Sequence, residues 1–174
     1  MHPLNAYAIC GSIIASVATW AFLQFPGLLI WGAFIGWASF LHTGGTKQVF
    51  ASVLTSLYFG SFMAWLFACI VTGNFVSINI PLLAALIVAV MAPIMILGSK
   101  ISFFSVTPAV FYGFAASFAY LAQTPLVFDF AMLTSLNKAN VVFVVPISLT
   151  IGACFGYLQV IASNVLAAKN ASKT

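Results

Sequence analysis

Few residues of this sequence could do chemistry, and most of them are hydroxyls set within long apolar runs. Polar groups at membrane depth are the first place to look for function in a chain of this kind. A hydroxyl both donates and accepts hydrogen bonds, so several of them can replace part of the hydration shell of an uncharged polar solute. We therefore take the following as candidate pore-lining residues: Ser39, Thr107, Ser117, Ser148 and Thr150.

His42 is the closest approach of an ionisable side chain to an apolar run, and we add it to the pore-lining candidates. It stands at the end of one such run, directly before Thr43-Gly44-Gly45-Thr46. Imidazole changes charge near neutral pH, so a functional interpretation makes His42 a gate or a pH sensor at a pore mouth. The other interpretation, which the residue type alone favours, is an amphipathic side chain at a helix end in the membrane interface.

Other kinds of chemistry find little support. The chain has one acidic residue, Asp129, and no ionisable residue falls in the middle of an apolar run. This distribution argues against a proton relay, a voltage sensor or a coupled cation pump, which place charges inside the membrane. The three cysteines are far apart and show no metal-ligand spacing. We expect no enzymatic activity, no metal site and no cofactor.

Composition determines the elements that must position these residues. Hydrophobic residues make up 64% of the 174 and charged residues 3%, whereas about a quarter of a soluble domain is charged. Because unpaired backbone groups are costly in hydrocarbon, helices are the structure expected for such runs. We predict an all-α polytopic membrane helix bundle, one domain over 1–174, whose main partner is the lipid bilayer. The lysines are scattered, so the net charge of +4 does not indicate nucleic-acid binding.

Proline, glycine and polar turns divide the chain into six predicted transmembrane helices. The second is short for a bilayer of about 30 Å, so it is expected to be partly re-entrant or to thin the bilayer locally. The longest loop, 124–140, is predicted to contain an interfacial half-helix. The predicted spans are 5–25, which Pro26-Gly27 ends, 28–42, 48–72, 81–98, 101–123 and 141–168.

Lysine placement predicts the orientation. With six spans, both termini share a side, and that side carries four lysines: Lys47, Lys100, Lys169 and Lys173. The other side has only Lys138, offset by Asp129. Since cytoplasmic loops are enriched in Lys and Arg, both termini are predicted to be cytoplasmic.

Two pairs of short motifs suggest an internal repeat of three plus three helices, over 1–75 and 76–168. Phe34-Ile35-Gly36 with Ser39-Phe40 resembles Phe111-Tyr112-Gly113 with Ser117-Phe118. Ser56-Leu57-Tyr58-Phe59-Gly60 resembles Gly152-Ala153-Cys154-Phe155-Gly156. Halves of three spans have opposite topologies, and transporters built this way place their sites at the repeat interface. The alternative is chance similarity, because Gly, Ala, Ser and Phe are common in membrane helices.

Glycines and prolines within the predicted spans have structural explanations. Small residues four apart let helix backbones approach closely, within one subunit or between subunits. The predicted helix-packing residues are Gly32, Gly36, Gly60, Gly113, Gly152 and Gly156. Pro108 and Pro146 are predicted to kink spans five and six, and the carbonyls freed there either line a polar path or have no role in one.

The motifs also resemble a known family. Trp31-Gly32-Ala33-Phe34-Ile35-Gly36-Trp37 followed by Thr43-Gly44-Gly45 is similar to small bacterial inner-membrane proteins of the YcdZ type, as is 105–113 followed by Phe118-Ala119. These proteins form the domain-of-unknown-function family numbered 1097. The resemblance implies a multi-pass protein of the bacterial inner membrane, and it brings no known activity or binding residue.

The sequence leads us to expect a channel or facilitator for a small, uncharged solute, assembled as a homo-oligomer through its glycine faces. This expectation rests on the repeat, the proline-broken helices with hydroxyls, and the lack of charge within the spans. The alternative is a non-transporting accessory or scaffold subunit of a membrane complex, which would use the same glycine faces and need no pore.

Overall fold

The computed structural model describes residues 2–25 and 27–171, so Pro26 and Lys173 lie outside the described residues. A short 3-10 turn, Ser102–Phe104, precedes the fifth helix. The α-helices are α1 (Pro3–Gln24), α2 (Ile30–His42), α3 (Lys47–Thr72), α4 (Ile80–Gly98), α5 (Thr107–Gln123), α6 (Phe130–Leu133) and α7 (Val141–Ala171).

Four helices in the described part of the chain are long and apolar enough to cross a membrane. They are α1, α3, α4 and the Val141–Lys169 part of α7. The remaining long helices, α2 and α5, have 13 and 17 residues, and at 1.5 Å per residue they extend over about 20 and 26 Å. The expected all-helical membrane fold is therefore confirmed, and two of its helices are shorter than a bilayer core of about 30 Å.

The start of α5 differs from the prediction. The helix begins at Thr107 instead of 101, and the residues before it form the 3-10 turn and an extended connection. Pro108 thus lies in the first turn, where its missing N–H leaves no helical hydrogen bond unmade. The predicted kink at Pro108 is wrong for this reason. Pro146 does lie inside a helix, α7.

The predicted half-helix in 124–140 is present as the four-residue α6. Asp129 caps it, because its carboxylate accepts hydrogen bonds from the amides of Ala131 and Met132 at 3.0 and 3.3 Å. The Leu133 carbonyl accepts from Trp65 Nε1 at 2.8 Å and from Asn140 Nδ2 at 2.9 Å. These bonds attach the long loop to α3 and to the start of α7.

The centre of the bundle consists of α2, α3, α5 and α7. The most extensive helix contacts are those of α2 with α7 and of α3 with α5, and α3 also packs on α7. The outer helices are α1, which lies against α7, and α4, which lies against α3. Fully buried side chains such as Phe40, Leu57 and Leu149 fill the centre. The two short helices therefore belong to the inner layer of the bundle.

Candidate functional site

The contact between α2 and α7 depends on two glycines. A methyl group on Gly36 would overlap with the backbone carbonyl of Leu149, and one on Gly152 would overlap with the carbonyl of Ala33. Each helix therefore presents one glycine to the backbone of the other. The absence of two Cβ atoms allows the backbones to touch, which increases the dispersion contact between the helices.

The contact between α3 and α5 has the same form. A methyl group on Gly60 would overlap with the carbonyl of Val110, and one on Gly113 would overlap with the carbonyl of Leu57. In both helix pairs, the carbonyl that meets a glycine belongs to the residue three positions before the partner's glycine. The two contacts are thus built on one plan.

Gly32 and Gly156 lie beside these contacts, where Gly32 meets only side chains and Gly156 meets side chains first and the Trp37 carbonyl at 3.3 Å. A Cβ on Gly32 would lie 3.2 Å from Leu29 Cβ and 3.3 Å from Ser148 Cβ. A Cβ on Gly156 would lie 2.9 Å from ring atoms of Trp37 and Phe40. Of the glycines four apart in α2 and in α7, Gly36 and Gly152 are the two whose added Cβ would lie within 2.0 Å of a backbone carbonyl.

A serine of a neighbouring long helix holds the start of each short helix. Ser148 Oγ accepts a hydrogen bond from the Leu29 amide at 3.0 Å and donates one to the Val144 carbonyl at 2.8 Å. Ser56 Oγ accepts from the Val106 amide at 3.2 Å. Leu29 and Val106 are the N-cap residues of α2 and α5, and neither helix has a side-chain cap of its own.

These starts are deep in the bundle. Ser148 is about 10 Å along α7 from its first residue, and Ser56 is about 14 Å along α3 from its first residue. The first amides of α2 and α5 are therefore well inside the length of the long helices. A helix start carries partial positive charge from its unpaired N–H groups, and both starts have this character at depth.

Ser39 in α2 and Ser117 in α5 have a property that no other buried side chain of residues 2–25 and 27–171 shares. Both are completely buried, and neither Oγ atom has a hydrogen-bond partner. Leaving a buried polar group unpaired costs about 1–3 kcal/mol, so such groups are rare and call for an explanation. Each serine lies one turn after the glycine of its helix, Gly36 or Gly113, on the inner layer of the bundle.

The other candidates have partners or lie elsewhere. Thr150 donates a hydrogen bond to the Pro146 carbonyl at 2.7 Å, so the Tyr58 hydroxyl, 2.6 Å away, donates to Thr150 Oγ1. Thr107 is the half-buried first residue of α5 and not a mid-span residue. Ser148 is fully buried in its capping role.

His42 joins the two short helices. It is exposed at the last position of α2, and its Nδ1 lies 2.9 Å from the hydroxyl of Tyr112 in α5. The rings lie 5.9 Å apart, centroid to centroid. This bond ties the end of α2 to the first half of α5.

Gln159 was absent from the sequence-based candidates and connects three helices. It is 5% exposed in α7, accepts from Trp37 Nε1 at 2.8 Å, and donates from Nε2 to the Tyr7 carbonyl at 3.1 Å. A glutamine inside an apolar run is a signal that could have identified it. Its bonds are satisfied, so its place in the structure is that of a connector between α1, α2 and α7.

These features define a class: an all-helical membrane-type protein with two short inner helices that start at depth. The chain belongs to the family described as "Protein of unknown function (DUF1097)", whose model matches residues 8–163. The family indicated by the glycine motifs is thereby confirmed. Comparison with curated proteins and comparison with solved structures each found no match.

Proposed function

We propose that this protein is a channel or facilitator for a small, uncharged polar solute. The observation that carries the proposal is the pair of buried, unpaired hydroxyls of Ser39 and Ser117. A protein gains no stability from such groups, so their presence in the inner layer is explained best by a partner that arrives from outside. A solute passing through the inner layer of α2, α3, α5 and α7 would supply that partner.

The proposal includes six crossings of the membrane. The connections before the two short helices, which include 27–29 before α2 and 99–106 before α5, would complete the crossings of α2 and α5, which are too short alone. Irregular backbone is tolerated at membrane depth where protein buries it or where it lines a cavity. The bonds from Leu29 to Ser148 and from Val106 to Ser56 satisfy this backbone at the point where each short helix begins.

The contacts described above support an inverted repeat. In the second helix of each half, Leu29 corresponds to Val106 and Gly36 to Gly113, because the two pairs have the same separation along the sequence. A second separation relates Ser56 to Ser148, Tyr58 to Thr150 and Gly60 to Gly152 in the third helix. Each capping bond and each glycine contact then has its counterpart in the other half, and Tyr58 and Thr150 bond to each other across the interface.

This correspondence revises one motif match. By contacts, Gly60 corresponds to Gly152, whereas the short motifs aligned it with Gly156. The halves otherwise keep the predicted division into 1–75 and 76–168. In proteins built from inverted repeats, sites are formed at the repeat interface by discontinuous helices that start near mid-membrane. The starts of α2 and α5 have this placement.

The chemistry of the inner layer selects the class of solute. Ser39 and Ser117 each offer one donor and an acceptor oxygen without charge, which suits amides, polyols or water. Both hydroxyls are sealed in this structure, so the solute would pass only when the short helices α2 and α5 move within the inner layer. The bond between His42 and Tyr112 holds these helices together and would act as the gate.

Localisation and assembly follow the same proposal. Lys47, Lys100 and Lys169 would share one side of a six-span bundle with both termini, which favours a cytoplasmic position of the termini in a bacterial inner membrane. Assembly into a homo-oligomer remains part of the proposal, although the glycine contacts seen here are made within one chain.

Stopped-flow light scattering on proteoliposomes tests the proposal, with water, glycerol and urea as the solute panel. We expect protein-dependent acceleration for at least one solute. Ser39→Ala and Ser117→Ala should each reduce it, because the solute loses a hydrogen-bond partner. Ser163→Ala is the matched control, since Ser163 is also buried but donates to the Gln159 carbonyl of its own helix at 2.6 Å.

The competing proposal is a non-transporting accessory or scaffold subunit. The sealed position of Ser39 and Ser117 favours it, because the inner layer shows no open route past these hydroxyls. Correctly inserted protein that accelerates no solute in the panel would favour this alternative. Acceleration that is equal in the wild type and both serine variants would remove Ser39 and Ser117 from the path.

A further inference from the structure

A cavity of about 820 Å³ lies beside the start of α2, outside the inner layer just described. Its walls come from the extended connection before α2, the end of α5, the loop before α7 and the first two turns of α7. Ser39 and Ser117 do not line it. Its volume is within the range of sites that bind small organic molecules.

The charged and amide side chains of the lining lie together at one end of the cavity, and the lining side chains of α7 are apolar. Asn137 and Lys138 lie in the loop before α7, whereas Phe143 and Ile147 lie progressively further along α7 toward the middle of the bundle. A ligand that fits this arrangement has a polar head at the level of the loop and an apolar body alongside the helix.

The charge of the lining determines the sign of the head. Lys138 is the one charged residue among those lining the cavity, and its side chain is exposed. The side-chain oxygen Oδ1 of Asn137 accepts a hydrogen bond from the Ala139 amide at 2.9 Å. The side-chain nitrogen Nδ2 of Asn137 is therefore the group that can bind a ligand. The Lys138 ammonium and the Asn137 N–H₂ group both donate hydrogen bonds and do not accept them. This pair of donors suits an anionic group of a ligand.

Protein does not fully cover the apolar part of the lining. Leu136 is 90% exposed and Ile147 is 50% exposed, so large hydrocarbon side chains border the cavity without protein covering them. An acyl chain lying on Phe143 and Ile147 would cover this surface.

The surroundings of the α5 start differ from those of the α2 start. There the 3-10 turn occupies the corresponding position: Phe104 stacks on Phe59 with centroids 4.6 Å apart, and the Phe103 carbonyl accepts from the Thr55 hydroxyl. The depression beside it is about 280 Å³ and has no charged residue in its lining. The large cavity is therefore specific to the α2 end of the molecule.

We propose that this cavity binds one anionic phospholipid, with the phosphate on Lys138 and Asn137 and an acyl chain along Phe143 and Ile147. A lysine near a lipid phosphate contributes about 1 kcal/mol, which corresponds to about a five-fold preference for an anionic over a zwitterionic lipid. This site is separate from the solute path, and its test needs no transport measurement.

Native mass spectrometry of the full-length protein in detergent provides the test, with phosphatidylglycerol or phosphatidylcholine added at matched concentrations. The wild type should retain one phosphatidylglycerol about five-fold more readily than phosphatidylcholine. Lys138→Gln should abolish the preference. Lys100→Gln should leave it intact, because Lys100 is equally exposed in the turn after α4 but does not line the cavity.

Two further measurements separate the lipid from other occupants. Ile147→Trp should weaken retention of both lipids, because the indole would occupy the place of the acyl chain. Soluble glycerol 3-phosphate should fail to displace bound phosphatidylglycerol. Equal retention of the two lipids by the wild type, equal loss in Lys138→Gln and Lys100→Gln, or displacement by glycerol 3-phosphate would each overturn the proposal.

Discussion

Ser148 Oγ lies 3.0 Å from the backbone nitrogen of Leu29, a residue 119 positions earlier in the chain. The bond satisfies an amide at a helix start that has no side-chain cap of its own. Ser56 does the same for Val106, 50 positions later. Since both short helices begin inside the bundle, these two hydroxyls replace the water that would pair such amides at a surface.

Removing either capping serine should destabilise the protein. Ser148→Ala and Ser56→Ala each leave a part-buried amide unpaired, so we expect the free energy of unfolding to fall by about 1–3 kcal/mol. Equilibrium unfolding in mixed micelles measures this change. Ser163→Ala, the control, should cost less than either, because its hydroxyl bonds only to a helical carbonyl. Equal costs for all three would show that the caps are energetically unimportant.

Within α2, the two glycines should differ in their tolerance of alanine. Gly36→Ala places a methyl group on the Leu149 carbonyl, and the helices must separate, with an expected loss of about 2–4 kcal/mol. Gly32→Ala meets only side-chain carbons at 3.2 and 3.3 Å and should cost below about 1 kcal/mol. Thermal unfolding in detergent compares the two variants. A Gly32→Ala variant as unstable as Gly36→Ala would contradict the assigned contact.

Alanine at Ser39 or Ser117 should leave stability unchanged or raise it by about 1 kcal/mol, because an unpaired buried hydroxyl is removed. The same unfolding measurement tests whether the free energy of unfolding rises or falls, and Ser148→Ala should lower it. A variant that is less stable by 2 kcal/mol or more would mean that the serine has a structural partner, which would remove the main support for a solute path.

Gln159→Leu should destabilise the bundle by about 1–3 kcal/mol, since the buried Trp37 indole N–H loses its acceptor. Trp37→Phe in the same background should recover part of the loss, because no donor is then left unpaired. A double-mutant cycle in unfolding free energy measures the coupling. Additive effects of the two substitutions would contradict the direct bond.

Tyr112→Phe tests the connection between the short helices. The variant loses the bond to His42 at an exposed position, so stability should change by less than about 1 kcal/mol. Under the proposed function, solute permeability should increase, and His42→Ala should give the same increase. Tyr58→Phe is the control, because it removes a tyrosine hydroxyl from the bond to Thr150 and leaves the short helices tied. Unchanged permeability in Tyr112→Phe and His42→Ala would exclude the gate.

Composition was sufficient to predict the membrane-type helical fold, and polar turns located most helix ends. The start of α5 was missed because Ile101, Phe103 and Phe104 are as apolar as the helix that follows, and hydropathy does not distinguish the two conformations. Pro108 carried the missing signal, since proline is favoured in a first helical turn.

The sequence identified Ser39, Ser117 and Ser148 as polar residues in apolar surroundings, yet it could not separate their roles. Whether a buried hydroxyl is satisfied depends on what the fold brings to it. The fold brings the Leu29 amide to the Ser148 hydroxyl, and it brings no hydrogen-bond partner to the Ser39 hydroxyl. Asn140 and Gln159 were missed for a related reason: their importance comes from partners in other segments, including Leu133 and Trp37.

The dependence of the first helices on α7 has a consequence for biosynthesis. Leu29, Trp37 and Tyr7 all bond to side chains of α7, which the ribosome makes more than 100 residues after them. Until α7 is inserted, the start of α2 has an unpaired amide and the Trp37 indole has no acceptor, both in a low-dielectric environment. Helices α1 and α2 therefore remain incompletely paired until α7 has been synthesised, and a chain stalled before α7 would expose these polar groups to chaperones and membrane proteases.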